Sequence, residues 1–67
     1  MAQQTKNAIR RAFIQLLNER PLDKISIKDI AEKGAVNRNT FYYYYADIYA
    51  LVEDILQLEI QDFQSKL

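Results

Sequence analysis

The chain has 67 residues, nine Lys/Arg against nine Asp/Glu, and neither cysteine nor histidine. That length allows one small domain without a deep active-site cavity, which buries roughly 60% of its unfolded surface and is stable by only a few kcal/mol. Without cysteine or histidine it has no disulfides, no thiol chemistry and no usual zinc ligands, so neither metal nor cofactor is expected.

The opening Met1-Ala2-Gln3-Gln4-Thr5-Lys6 has no apolar core of a signal peptide, and no stretch is long enough to span a bilayer. A cytoplasmic protein with no membrane partner is expected. The first helix is predicted from about Thr5 to Asn18, with Ala8, Ile9, Ala12, Phe13, Leu16 and Leu17 on one face. Arg10 and Arg11 are placed on the opposite side, with Ile14 between them. Glu19-Arg20-Pro21-Leu22-Asp23 breaks the helix, because proline cannot continue it.

The second helix opens at Ser26, whose spacing to Asp29 resembles a capping box. Ile25 and Ile30 stand at the positions of a hydrophobic staple across that start. Gly34 ends the helix and is expected to take the positive φ of a C-terminal cap. About two turns of helix cannot persist alone in water, so this one must be packed. The third helix begins at Asn37, a good N-cap, and Val36 with Phe41 repeats the staple. Two short helices joined by a tight turn containing glycine give a helix-turn-helix over about 26–45. A plain helical hairpin would also need a short loop.

Five aromatics in succession, Phe41 to Tyr45, must point all the way around a helix. Phe41 and Tyr45 share one face and are core. Tyr42 and Tyr43 leave on the other, and Tyr44 lies near the border with the outward set. Following Arg38-Asn39-Thr40, these tyrosines suit a surface that touches phosphates and base edges.

The fourth helix starts with Asp47 as N-cap and is predicted over about 47–67. Ile48, Leu51, Val52, Ile55, Leu56, Ile60, Phe63 and Leu67 give it a wide apolar arc that three short helices cannot cover. The distal half, Leu58, Ile60, Phe63 and Leu67, therefore meets either a second copy or, preferably, a C-terminal domain absent from this chain. The architecture expected is all-α: a three-helix bundle containing the helix-turn-helix, with a fourth helix leading toward that absent domain. Residues 1–40 carry eight Lys/Arg against four acids, while 41–67 carry one against five. A basic front half fits one face turned toward a polyanion, although an ordinary solvated surface would also explain it.

The run Ile27-Lys28-Asp29-Ile30-Ala31-Glu32-Lys33-Gly34-Ala35-Val36-Asn37-Arg38-Asn39-Thr40-Phe41-Tyr42-Tyr43-Tyr44-Tyr45, with Asp47, Tyr49 and Leu51 after it, resembles the N-terminal DNA-binding region of the tetracycline-repressor (TetR) family. The likeness reaches about Ile55 and includes Phe13 in the first helix, so 1–67 is expected to be one such DNA-binding domain. It implies a bacterial transcriptional regulator, a ligand-responsive repressor, whose full-length form binds a double-stranded operator as a homodimer. A small-molecule effector would then bind the absent C-terminal domain.

By the same likeness, Arg38, Asn39, Thr40 and Tyr43 approach base edges in the major groove. Ser26, Asn37, Tyr42 and Tyr44 hold backbone phosphates, with Lys28 in the same set. The side chains suit these roles: arginine can bond guanine O6 and N7, asparagine adenine N6 and N7, and threonine offers a hydroxyl and a methyl.

Three positions depart from the family pattern. Gly34-Ala35 reverses the usual alanine-glycine order, Tyr44 replaces a histidine, and Ile48 replaces a lysine that contacts phosphate. Losing that lysine removes about one phosphate contact from the salt dependence, which Lys6, Arg10 or Lys28 could offset. Catalysis is not expected, because acids without histidine, cysteine or a glycine-rich loop offer no catalytic residue. The competing function is a protein-interaction helical module that uses the exposed tyrosines as anchors.

Overall fold

The computed structural model describes residues 2–65. They form α1 (Ala2–Glu19), a 3₁₀ turn (Leu22–Lys24), α2 (Ile27–Lys33), α3 (Arg38–Tyr44) and α4 (Ile48–Ser65), with no strand among the described residues. The all-helical architecture agrees with the sequence expectation. Leu67, assigned to the orphaned face of the fourth helix, lies outside the described residues. α1 starts earlier than Thr5 because alanine and glutamine favour a helix and nothing there breaks it. Pro21 caps the 3₁₀ turn, which the sequence pattern had shown only as a break.

Ile9, Ala12, Phe13 and Leu16 of α1 meet Ile25, Ile30 and Ala31 around α2, Phe41 and Tyr45 around α3, and Leu51 of α4. Both staples are packed: Ile25 and Ile30 are buried, Phe41 is buried, and Val36 lies against the core. Leu17 is not core, being 42% exposed. It borders an apolar groove with Phe13, Ile14, Leu22, Val52, Ile55 and Leu56, on the flank that α1 and α4 leave open.

The turn between α2 and α3 corrects the expectation for Gly34. Gly34 remains right-handed at φ −85, and Ala35 takes the left-handed conformation at φ 58. The Val36 N–H donates to the Ala31 carbonyl at 2.9 Å and the Ala35 N–H to that of Glu32 at 3.2 Å. This is a Schellman cap with alanine where glycine is usual. Gly34 instead packs closely. A Cβ there would lie 3.3 Å from the Ile30 carbonyl oxygen, a tight contact, and 3.4 Å from that of Ala8 and 3.5 Å from Ala12 Cβ, both ordinary contacts. α1 thus lies directly against the end of α2, which positions the turn and α3 beyond it.

α4 is half packed. Asp47 caps it by accepting the Ala50 N–H at 2.8 Å, and Ile48, Leu51, Val52 and Ile55 rest on the core. From Leu56 through Ser65 every residue is exposed, including Leu58, Ile60 and Phe63. No helix among the described residues is long and apolar enough to cross a membrane.

Candidate nucleic-acid interface

Each helix of the helix-turn-helix begins with a capped end that retains an unused donor. Ser26 Oγ accepts the Asp29 N–H at 3.1 Å, and Asp29 Oδ2 accepts the Ser26 N–H at 3.0 Å, completing the expected capping box. The Arg20 guanidinium lies 3.2 Å from the same Asp29 oxygen. The Asp29 carboxyl is held below the usual carboxylate range, first by the Ser26 backbone and side-chain hydrogen bonds. Because Ser26 accepts in this box, its hydroxyl hydrogen remains available to an outside acceptor.

Asn37 repeats the arrangement at α3. Its Oδ1 accepts the Thr40 N–H at 2.8 Å and the Thr40 hydroxyl at 3.0 Å, so its amide NH₂ is the group left to donate outward. Thr40 is half-buried with its hydroxyl committed to Asn37, which leaves the methyl as its one group without a hydrogen bond to make.

Arg38 and Asn39 are exposed on the first turn of α3, and Tyr43 one turn later is 81% exposed. Tyr42 stands out at 53%, its ring edge-on to the buried Phe41 at 5.8 Å between centroids. Tyr44 is half-buried, packs against the core and meets Tyr43 edge-to-face at 4.9 Å. It is thus a border residue and the most constrained of the outward set. Lys28 is exposed on α2, and neither it nor Arg38 forms an ion pair among the described residues.

Arg10 differs from expectation, whereas Ile48 packs as its place in the apolar arc implies. Arg10 does not point to solvent opposite the apolar stripe. It reaches sideways to Asp54 of α4 at 3.0 Å and bonds Asn7, so it is not available to replace a missing phosphate contact. Ile48 lies half-buried on the core, lining a groove with Leu22, Asp23, Ile25 and Tyr49. The isoleucine at that position anchors α4 by apolar packing where a lysine would have offered charge.

Tyr45 also proves more than an aromatic filler. It is 4% exposed and donates its hydroxyl to Asp54 Oδ2 at 2.6 Å. Burial pushes its pKa up to about 12, aided by the hydrogen bond to Asp54. The Asp54 carboxyl is correspondingly held low, chiefly by the Tyr45 hydrogen bond. Sequence reasoning missed this group because its members stand 9 and 44 positions apart. Among the described residues, no cluster of His, Cys, Asp or Glu could hold a metal ion.

Comparison with known proteins agrees with this geometry. The family described as bacterial regulatory proteins, tetR family, matches residues 9–55. The uncharacterized HTH-type transcriptional regulator YxbF of Bacillus subtilis (strain 168) is 33% identical over 57 residues, covering 85% of this chain and 15% of the relative. The uncharacterized HTH-type transcriptional regulator YvdT of the same organism is 39% identical over 49 residues, covering 73% of this chain and 25% of the relative. The chain therefore spans only a small part of the length of these relatives. No solved structure matches. With the match running from Ile9 in α1 to Ile55 in α4, through the capped pair α2–α3, the chain belongs to the tetR family of bacterial regulatory proteins.

Proposed function

We propose that this chain is the DNA-reading head of a transcriptional regulator, with α3 inserted in the major groove of a double-stranded operator. The observation that carries the reading is the exposed face of α3, where Arg38, Asn39 and Tyr43 stand free of the fold behind a capped helix start. Arg38 and Asn39 read base edges, Thr40 contributes its methyl, and Tyr43 reaches one turn further. Ser26, Asn37, Tyr42 and Tyr44 donate to phosphates on either side, and Lys28 adds a positive charge to that set. The N–H groups at the starts of α2 and α3 favour the same anions.

In the full-length protein the head works as half of a homodimer, as a cytoplasmic repressor that an effector releases. The uncovered distal half of α4 supports a further domain there: Leu58, Ile60 and Phe63 are exposed, and the relatives are several times longer. A C-terminal domain lying on that face would carry the effector pocket and the dimer contact. The isolated chain is then monomeric and binds one half-site weakly, which sedimentation in dilute solution checks.

The decisive experiment selects duplexes from a random pool with the full-length protein, then titrates salt against the winning sequence. Neutral donors dominate the phosphate set, so Lys28 supplies most of the counterion release. With about one phosphate neutralised per head, and so about two per dimer, affinity falls roughly twelvefold between about 50 and 200 mM salt. An affinity that ignores salt, with a protein rather than a duplex as ligand, would favour a tyrosine-anchored interaction module instead.

A further inference from the structure

α3 is held from behind by a polar tie that crosses the fold. Tyr45 ends α3, and Asp54 Oδ2 on α4 accepts its hydroxyl at 2.6 Å. The same carboxylate oxygen accepts Arg10 Nη1 from α1 at 3.0 Å, and that guanidinium nitrogen also reaches the Tyr45 hydroxyl at 3.4 Å. Asn7 braces Arg10 from one turn earlier, and the Lys6 ammonium lies 5.6 Å from the Tyr45 ring centroid. One carboxylate thus joins three helices.

Tyr45 fills space that a phenylalanine would fill equally well, so the hydroxyl contributes something other than volume. What a hydrogen-bonded carboxylate adds is direction. Apolar contacts let a short helix roll or slide, whereas two bonds on one oxygen accept only a narrow range of positions. α3 has seven residues, and its start is fixed by the Asn37 cap and by the Val36–Phe41 staple packed on the core, with no polar bond to another helix. Its far end is fixed by Tyr45.

The geometry points to Asp54 as a positioning residue that orients the recognition helix through Tyr45, and so sets the register in which Arg38, Asn39 and Tyr43 meet base edges. Bidentate base contacts tolerate misplacement of only about 0.5 Å, so a small roll of α3 removes discrimination while leaving phosphate attraction in place. The inference rests on the DNA-binding reading for its affinity readout alone.

Three variants and two measurements test it. Tyr45→Phe removes the hydroxyl's two hydrogen bonds, to Asp54 and from Arg10, at constant shape, and Asp54→Ala removes the shared acceptor. Residual dipolar couplings on the free chain report the orientation of α3 relative to α1 without any DNA. Affinities for a selected duplex and a random duplex, taken well below each variant's Tm, report discrimination. The couplings should show α3 reoriented in both variants, and at least as much in Tyr45→Phe, which leaves α3 no polar bond to the tie. Preference for the selected duplex should fall about tenfold in Asp54→Ala, with random-duplex affinity nearly constant. Asp54→Glu, which restores an acceptor, should recover part of the preference. An unchanged α3 orientation in both variants, or equal losses on both duplexes, overturns the proposal. A wild-type chain with no preference for any duplex would fault the DNA reading, while the couplings would still decide whether Asp54 orients α3.

Discussion

Substituting Ala35 by glycine tests the turn on which the recognition helix depends. Ala35 holds φ 58 so that the Ala35 and Val36 N–H groups can close the Schellman cap on Glu32 and Ala31. A left-handed conformation costs an L-residue about 1–2 kcal/mol that glycine does not incur. Glycine also loses more backbone entropy on folding, which returns roughly 0.4–1 kcal/mol. Ala35→Gly should therefore stabilise by about 0.5–1 kcal/mol, raising Tm by roughly 2–8 °C in a domain of this size. Gly34→Ala should change little. Its backbone at φ −85 suits any residue, so alanine gains roughly 0.4–1 kcal/mol of entropy. The new Cβ would press on the Ile30 carbonyl oxygen alone, at 3.3 Å, at a cost on the order of 1 kcal/mol. Thermal and urea unfolding followed by circular dichroism measure both, with m unchanged if only native stability moves. A lower Tm for Ala35→Gly would refute the division of labour between these two residues.

Binding and stability elsewhere respond in separable ways. Arg38→Ala should relax preference at a single base pair by about 1–3 kcal/mol, whereas Tyr42→Phe should weaken binding to all duplexes alike, as competition with single-pair variants would show. Thr40→Val keeps the methyl and loses only a hydroxyl already spent on Asn37, so base preference should persist; a loss there would mean that the hydroxyl itself reads DNA. The folded Asp29 and Asp54 carboxyls titrate below 3.8, so the stability they contribute is complete above that value and disappears as acid protonates the folded state. Asp54→Asn should flatten part of that acid limb in unfolding measured against pH. Tyr45 runs the other way: its contribution is complete below pH 10.0 and is lost as pH rises through about 12, a loss that Tyr45→Phe should abolish.

The parts of this molecule legible in its sequence are those written in local chemistry. Ser26 and Asn37 each cap a helix three residues ahead, and the flanking Ile25–Ile30 and Val36–Phe41 pairs set the entry angles, so α2 and α3 could be bounded closely. The exposed tyrosines were legible for the opposite reason. Five consecutive aromatics cannot all be buried on one helix, and Tyr42 and Tyr43 break the amphipathic rule in the open. What the pattern could not carry was any relation set by a distant partner. Glycine's tolerance of positive φ assigned that conformation to Gly34, yet Gly34 continues the right-handed turn against α1 and the left-handed strain falls one residue on, at Ala35. The helical wheel placed Arg10 opposite the core, but a long side chain can lie along the flank, and Asp54 waits 44 positions away. The proposed reading surface is thus declared by residues that violate packing rules. The tie behind it looks in sequence like one more aromatic and two surface charges, and only the meeting of α1, α3 and α4 reveals that they act on a single oxygen.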